Sequence, residues 1–287
     1  MFGRFGVQPF GGSWRVTMNP IQLLRKRLAE LLPGRLVLLL DFDGTLVPIV
    51  ENPAAVRLSL SLRRTLRRLV RAVPVVIVSG RGIPDLRRRV RVPGIRFVGH
   101  HGLVYHAPGH RLRWLGHRVP VTQVKQWARV LASAAAGARG ALVEFKRWTV
   151  AVHDRSVLPA ARGHLRRRVL RALKPWRHRR TLMLIRGKCV LEARPSGSWN
   201  KGTAVSFLLR ESWARGRTPV YFGDDATDEP AFRTIRGRGI GVRVGRRRRQ
   251  GSETMSLRNT AAVASFLEWL ARKSSSVALS HRREKIA

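Results

Sequence analysis

Residues 36–46 read LVLLLDFDGTL, and this stretch decides the fold. Its first part, Leu36 to Leu40, is a short and continuous apolar run, which is typical of a strand buried on both faces of a parallel sheet. The run ends abruptly in Asp41-Phe42-Asp43-Gly44. The sequence therefore predicts polar side chains directly at the carboxyl end of a buried strand.

Two more apolar runs end in the same way. Residues 75–78 are followed at once by Ser79-Gly80-Arg81, and residues 219–222 are followed by Gly223-Asp224-Asp225. In open α/β sheets the ligand crevice lies outside the carboxyl ends of the strands, so these clusters can meet although they are far apart in sequence. We predict an α/β fold, a doubly wound parallel sheet with one site at its carboxyl edge.

The middle of the chain has a different pattern. Between residues 108 and 190 the predicted strands are grouped rather than alternating strictly with helices, which favours a small inserted α+β unit over the site. We therefore divide the chain into a loose leader (1–18), a core domain (19–107 and 191–272), an α+β cap domain (108–190) and a flexible tail (273–287).

The charge of the chain is unusual, because 57 basic and 16 acidic residues give a formal net charge of +41. Such a balance raises the possibility of binding to nucleic acid or to an anionic membrane. The basic residues are mostly arginines scattered along every predicted helix rather than gathered in one stripe. A general arginine bias is therefore favoured, and nucleic acid stays a possible but less favoured partner. The positive field would still draw anionic substrates inward.

The single cysteine, Cys189, excludes an internal disulfide and a cysteine-based metal cage. The first twenty residues lack the continuous apolar stretch of a secretory signal, and no apolar run approaches the length of a membrane span. We predict a cytoplasmic protein with no membrane partner.

Asp41 and Asp43 lie two residues apart, on one face if the strand continues, and Gly44 permits a tight turn beyond them. Two carboxylates this close repel each other, and a hard cation would offset the repulsion. Magnesium suits a site that also receives a phosphate. A shielded Asp41 can attack phosphorus, while Asp43 protonates the leaving oxygen and later activates water. The alternative is a pair of turn or capping aspartates.

Phosphoryl transfer also needs a hydroxyl and a cation aimed at the phosphate oxygens. Ser79 and Lys201 are the candidates, although alone the first could be a helix cap and the second an exposed lysine. Four acids occur within residues 223–229. We predict Asp224 as a second metal ligand, Asp228 as a ligand directly or through water, and Asp225 as a support for the loop or a helix cap.

Taken in order, these segments resemble the four motifs of the haloacid dehalogenase (HAD) superfamily. The motifs are Asp41 to Thr45, Ser79 to Arg81, Lys201, and Gly223 to Asp228. The resemblance implies a HAD-like doubly wound core with a cap, and a Mg²⁺ ion bound by Asp41, the backbone carbonyl of Asp43, and Asp224. It also implies phosphate contacts from Ser79, Gly80 and Lys201.

Two further segments resemble the trehalose-6-phosphate phosphatase family, namely Gly99-His100-His101-Gly102, and Glu192-Ala193-Arg194-Pro195 followed by Asn200-Lys201-Gly202. The resemblance implies a mobile cap that binds the sugar, with substrate contacts from Arg81, His101, Glu192 and Arg194. A structural hydrogen bond stays open for His101, and a salt bridge between cap and core stays open for the other pair. The family commonly has an acid shortly after its His-Gly pair, whereas this chain has none in residues 103–105.

The leading hypothesis is hydrolysis of trehalose 6-phosphate to trehalose and phosphate through an aspartyl-phosphate, with a separate trehalose-phosphate synthase as a functional partner. The nearest alternative is a related phosphatase that acts on sucrose phosphate or on a glucosyl or mannosyl phosphoglycerate. A polyanion-binding protein that has lost turnover is the third reading.

Overall fold

The computed structural model describes residues 20–32, 35–50, 55–116, 118–187, 189–197, 199–245, 251–252 and 255–284. The predicted leader, residues 1–18, lies outside the described residues. Within the ranges above, no helix is both long and apolar enough to cross a membrane.

The strands of this part of the chain form two sheets. In chain order they are β1 (Leu36–Leu40), β2 (Val75–Val78), β3 (Arg96–Gly99), β4 (Val104–His106), β5 (Arg113–Trp114), β6 (Leu142–Phe145), β7 (Val150–His153), β8 (Leu182–Gly187), β9 (Val190–Pro195), β10 (Thr218–Gly223), β11 (Ile240–Val244) and β12 (Met255–Leu257). The larger sheet has the order β12-β11-β10-β1-β2-β3-β4-β5, and the smaller one has the order β6-β7-β9-β8.

The helices cover both sheets. They are α1 (Pro20–Glu30), α2 (Leu60–Ala72), α3 (Ile83–Val90), α4 (Val121–Ala135), α5 (Pro159–Ala172), α6 (Lys174–His178), α7 (Lys201–Leu208), α8 (Glu229–Ile235) and α9 (Thr260–Glu284). In the larger sheet the pairings from β12 through β3 are parallel, and only β4 and β5 join antiparallel.

β1 lies at the centre of the larger sheet and is fully buried. Its side chains alternate between two apolar layers, because successive strand residues point to opposite faces. Leu38 and Leu40 pack with residues of α2 and α9, whereas Val37 and Leu39 pack with residues of α7 and α8. The predicted doubly wound α/β fold is thereby confirmed.

α2 shows how local sequence fixes a helix in this fold. The Ser59 side chain caps it by accepting a hydrogen bond of 3.2 Å from the Leu62 backbone N–H. Leu62, Leu66 and Leu69 recur at helical spacing and are all buried against the sheet. Arg64, Arg67 and Arg68 between them are exposed, so these basic residues do not disturb the apolar stripe.

The smaller sheet is antiparallel and carries α4 and α5 on one face, where Trp127, Leu131, Leu165 and Val169 form a separate apolar cluster. It occupies most of the segment predicted as the cap, but both predicted boundaries cross strand pairings. The predicted start at residue 108 would place β5 in the cap, whereas β5 pairs with β4 in the larger sheet. The predicted division after residue 190 cuts β9, whose backbone pairs with β7 and β8 along its length. We therefore place the end of the cap after Pro195.

The last helix extends past the predicted start of the C-terminal tail. A flexible tail was expected from residue 273, but α9 continues to Glu284. The chain has no glycine or proline after residue 251, so nothing in the sequence ends the helix at the point where its apolar stripe stops.

Candidate active site

The carboxyl ends of β1 and β10 bring the first and last acid clusters together. The two strands pair in parallel, with Leu40 opposite Phe222, and the Asp41 N–H donates to the Phe222 carbonyl at 2.9 Å. Gly44, with φ of +81°, turns the chain beside Asp224. A Cβ at this glycine would overlap the Asp224 carboxylate, so both the backbone angle and the close approach require glycine.

Three carboxylates and one lysine form the floor of the site. Oxygen atoms of Asp41, Asp224 and Asp228 lie within 4.8 Å of one another. Lys201 Nζ is 2.8 Å from Asp41 Oδ1 and 2.7 Å from Asp228 Oδ1. The Tyr221 hydroxyl also donates to Asp228 Oδ1, at 2.7 Å. The Asp225 backbone N–H donates to the other carboxylate oxygen, Asp228 Oδ2, at 3.0 Å, so three donors hold Asp228.

Lys201 reaches this position because α7 begins at it. The Asn200 side chain caps α7 by accepting from the Gly202 and Thr203 N–H groups, at 2.8 and 3.1 Å. The Lys201 side chain is 3% exposed, which makes it a buried cation rather than the exposed lysine of the alternative reading.

The electrostatics of the floor leave negative charge unbalanced. Burial raises the pKa of Asp41 well above its usual range, and Lys201 opposes this shift only in part. Burial and the neighbouring Asp228 raise the pKa of Asp224 to about 7. Burial works against the Lys201 cation, but Asp228 and Asp41 outweigh it and raise its pKa.

The donor set fits a divalent cation. One lysine cannot neutralise three carboxylates, and Asp224 Oδ1 is buried without a hydrogen-bond partner among the described residues. Hard cations of the Mg²⁺ and Ca²⁺ type prefer such carboxylate oxygens. The acidic cluster predicted from sequence therefore exists as a compact group that could hold a metal.

Asp43 and Arg81 contact each other. Arg81 donates from Nε to Asp43 Oδ2 at 2.6 Å and from a terminal nitrogen to Asp43 Oδ1 at 2.8 Å. Its other terminal nitrogen donates to Asp85 at 3.0 Å. The Asp43 side chain is 35% exposed and lines the cavity. Arg81, which was predicted as a substrate contact, lines the same cavity and also binds Asp43, the residue predicted to act as both acid and base.

Ser79 follows β2 and is 1% exposed at the cavity wall. Its Oγ accepts from the Arg81 N–H at 3.2 Å. Gly80 lies directly against the His101 ring, which would overlap any Cβ at this position. The phosphate-contact segment predicted from sequence therefore lines the cavity beside the acid cluster.

The Gly-His-His-Gly segment joins this loop to the start of α7. His100 N donates to the Arg81 carbonyl and His101 N to the Ser79 carbonyl, both at 3.0 Å. Gly102, with φ of +111°, lies so close to the Asn200 carbonyl that a Cβ would overlap it. These contacts bring His101 to the cavity.

Glu192 on β9 connects the cap to the core. Its Oε2 lies 2.9 Å from Lys146 Nζ and 3.3 Å from His101 Nε2. Burial would raise the pKa of Glu192, but Lys146 and His101 outweigh burial and hold it well below its usual range. Next to this group, His153 Nε2 is 2.8 Å from Glu144 Oε2.

Arg194 is the predicted site residue that lies away from the cavity wall. It is 2% exposed, and one terminal nitrogen lies 3.1 Å from the Met183 sulfur. Its Nε and other terminal nitrogen have no hydrogen-bond partner among the described residues. The structure does not bring this predicted sugar contact to the cavity.

The cavity has a volume of about 180 Å³ and receives walls from both sheets. The sequence interpretation missed Glu144, Lys146 and Cys189, which line it from the cap. Alternation was the available signal, since Glu144 lies on β6 and the charged Lys146 follows two residues later, directly after the strand ends.

The cavity beneath the cap brings together Asp41 after β1, Ser79 after β2, Lys201 at the start of α7 and the acids after β10. This arrangement of residues on this fold defines the class of HAD-like phosphatases. The C-terminal domain of C. albicans trehalose-6-phosphate phosphatase has this fold, with a TM-score of 0.77 at 23% identity over 88% of this chain and 96% of that one. A haloacid dehalogenase-like hydrolase from B. subtilis superposes with a TM-score of 0.55 at 15% identity over 81% of this chain and 98% of that one.

Sequence comparison identifies the family within this class. The trehalose-phosphatase family model matches residues 39–265, and the chain belongs to that family. A probable trehalose-phosphate phosphatase D of Arabidopsis thaliana is 33% identical over 273 residues, which cover 90% of this chain and 73% of the relative. A trehalose 6-phosphate phosphatase of Zea mays is 32% identical over 257 residues, covering 83% and 70%. The predicted family, and the prediction of an enzyme of this class, are confirmed.

Proposed function

We propose that the chain hydrolyses trehalose 6-phosphate to trehalose and phosphate through an aspartyl-phosphate on Asp41. The observation that carries the proposal is the buried Asp41 carboxylate, held at 2.8 Å by Lys201 beside Asp224, in a cavity lined by both the core and the cap. The confirmed family supports the substrate.

In the first half-reaction an Asp41 oxygen forms a bond to phosphorus, and the bond from phosphorus to the sugar oxygen breaks. Asp43 gives its proton to that oxygen, which leaves as a hydroxyl. In the second half-reaction Asp43 takes a proton from water, and the resulting hydroxide attacks phosphorus. Asp41 is then released as a carboxylate and inorganic phosphate is freed.

Lys201 and Ser79 serve both half-reactions by binding the phosphate oxygens, on which negative charge is spread in the transition state. Gly80 lines the cavity next to Ser79, so its backbone is available to the same oxygens. Arg81 must share its guanidinium between Asp43 and the incoming phosphate, which gives it a role in releasing Asp43 for proton transfer.

Asp41, the Asp43 backbone carbonyl and Asp224 would hold Mg²⁺, and Asp228 would bind it directly or through a water. When bound, Mg²⁺ supplies positive charge that lowers the repulsion between Asp41 and the phosphate. Asp224, with its unpartnered buried oxygen, is the residue whose environment most favours this role.

Sugar recognition belongs in this proposal to the cap wall. Glu192, Lys146 and His101 are ordered by mutual contacts and line the cavity, so they can exchange hydrogen bonds with sugar hydroxyls. Arg194 would support β9 from behind. The substrate would come from a separate synthase, and the predicted cytoplasmic location is part of the same proposal.

The test is phosphate release from trehalose, sucrose, glucose and mannosyl phosphates, with Mg²⁺ and with a chelator. We expect strong and metal-dependent preference for trehalose 6-phosphate. Similar rates on several sugar phosphates would support the phosphatase reaction but refute trehalose 6-phosphate as the specific substrate. Absence of release from all of them would refute the proposed function.

A further inference from the structure

A second cavity of about 390 Å³ lies between the core and the cap, behind the wall of the first one. It opens between the start of α3 and the turn that joins β6 to β7. We call it the cap–core cleft and define it by its apolar lining, which is Ile83, Pro84, Val104, Leu112, Phe145 and Trp148.

The cap–core cleft gathers apolar side chains that the fold leaves uncovered. Leu112 is 49% exposed and Phe145 is 43% exposed, and they are two of the five large exposed apolar residues in the described part of the chain. Single exposed apolar residues are ordinary, but a concave group of them is typical of a ligand site.

The positive charge that a ligand in the cap–core cleft would meet comes mainly from Arg88 and Arg147, because Arg81 and Lys146 are paired with Asp43 and Glu192. The charged lining residues of the cleft are Arg81, Arg88, Lys146 and Arg147 against Asp85 and Glu144. Arg88 lies at the rim with its side chain 77% exposed, and it contacts Asp85 only at 3.3 Å. A ligand with a negative group would meet a complementary field there.

His100 supplies a buried polar group in the same lining. It is 4% exposed, and its Nδ1 has no hydrogen-bond partner among the described residues. Burial lowers the pKa of His100 to about 4, so the ring is neutral at physiological pH and can donate or accept one hydrogen bond. Buried polar atoms are normally satisfied, which makes this one a candidate ligand contact.

We propose that the cap–core cleft binds a small organic anion with an aromatic or apolar body. The body would lie against Leu112, Phe145 and Trp148, with the negative group towards Arg88 and Arg147. The five residues that would contact this ligand, Leu112, Phe145, Trp148, Arg88 and Arg147, do not line the active cavity, so the site is additional to the proposed function.

The position of the cap–core cleft couples it to the active site. Arg81, Glu144 and Lys146 line both cavities, so they form a shared wall. Trp148 of the cap also packs edge-on against Trp114 of the core, with ring centroids 4.6 Å apart. A ligand in the cleft would bridge cap and core, and it would alter substrate affinity through residues that contact both ligands.

The probe is anilinonaphthalene sulfonate, an aromatic anion whose fluorescence rises in apolar sites. We expect saturable binding to the full chain, with affinity about tenfold weaker in Leu112→Glu. Leu158→Glu is the matched control, because Leu158 is 75% exposed and does not line the cap–core cleft. Equal weakening in the two variants, or no weakening in Leu112→Glu, would overturn the proposal.

A second pair of variants keeps the proposal testable if Leu112→Glu fails to fold. Arg88→Glu should weaken dye binding, whereas Arg167→Glu on the exposed side of α5 should not; equal effects of these two would also overturn the site. A saturating concentration of inorganic phosphate with Mg²⁺ should leave the dye bound. If phosphate displaced all of the dye, the dye would be bound in the catalytic cavity and the proposal would be overturned. Because dye binding needs no turnover, an inactive chain that binds it at the cleft would refute only the proposed function.

Discussion

The floor and the cap wall of the active cavity are built on opposite electrostatic principles. On the floor, three carboxylates share one lysine, so buried negative charge is in excess. On the cap wall, Glu192 contacts Lys146 and His101, and Glu144 contacts His153, so each acid has a polar partner of its own. The floor is therefore suited to a cation and a phosphate, and the wall to a neutral polar ligand. The comparison predicts that floor variants impair every substrate and that wall variants impair selected ones.

Asp41→Asn should have the largest effect. The amide keeps the shape of the side chain but cannot act as the nucleophile, so we expect turnover to fall by about 10⁴-fold or more on every phosphate ester. Asp154→Asn is the matched control, since Asp154 is also a buried aspartate but does not line the cavity. Steady-state phosphate release measures both. Turnover of Asp41→Asn near that of the control would remove Asp41 as the nucleophile.

Lys201→Met should have the next largest effect. It leaves Asp41 and Asp228 buried without their cation, and removing one partner of a buried pair costs about 3–5 kcal/mol. Denaturant unfolding at neutral pH without metal measures the loss, and added Mg²⁺ should restore part of it. Lys125→Met, on the exposed side of α4, is the control and should change stability little. Equal stabilities of the two variants would show that the floor is not under electrostatic strain.

These residues also show how far the sequence could predict the site. Asp41, Ser79 and Asp224 each follow an apolar run, and strand ends of a parallel sheet converge by topology. The position of Lys201 beside Asp41 could be predicted only because the order of the motifs in this chain resembles that of the HAD superfamily. The two residues are 160 positions apart in the sequence. Local pattern alone favoured an exposed lysine there.

The parts that sequence could not predict depend on tertiary geometry. Glu144 on β6 and Lys146 directly after it both line the cavity, but which face of β6 meets the core depends on how the whole cap sheet is docked. Arg194 shares its strand face with Glu192 and still lies away from the cavity, so alternation did not decide its role. The pairing of Arg81 with Asp43 likewise follows from loop conformations that no periodic pattern encodes.

Without metal, the free energy of unfolding should fall as the pH rises through the range in which Asp224 loses its proton. The pKa of Asp224 is raised from 3.8 to about 7, so the folded state binds a proton more tightly than the unfolded state. Its contribution is fully present below about pH 4 and is lost by the time the pH passes about 7. Mg²⁺ competes with that proton and should flatten the dependence.

The measurement is the free energy of unfolding of wild type minus that of Asp224→Asn, between pH 4 and 8, with a chelator and then with Mg²⁺. The difference isolates Asp224 from the cap acids, whose lowered pKa values act in the opposite direction. A difference that rises with pH in the chelator would contradict the unbalanced charge assigned to the floor.

Glu192→Gln should give the smallest change and the sharpest contrast with the floor. The amide keeps one acceptor but loses the charge that orders Lys146 and His101, so hydroxyl contacts on the cap wall should weaken. We expect kcat/KM for trehalose 6-phosphate to fall by about tenfold to a hundredfold. The rate on an aryl phosphate, which has no sugar to contact the cap, should change by less than about threefold.

Glu211→Gln is the matched control, because the Glu211 carboxylate contacts Arg113 away from the cavity. Equal losses on both substrates would assign Glu192 to the positioning of the catalytic floor, and the division between floor and wall would then be wrong.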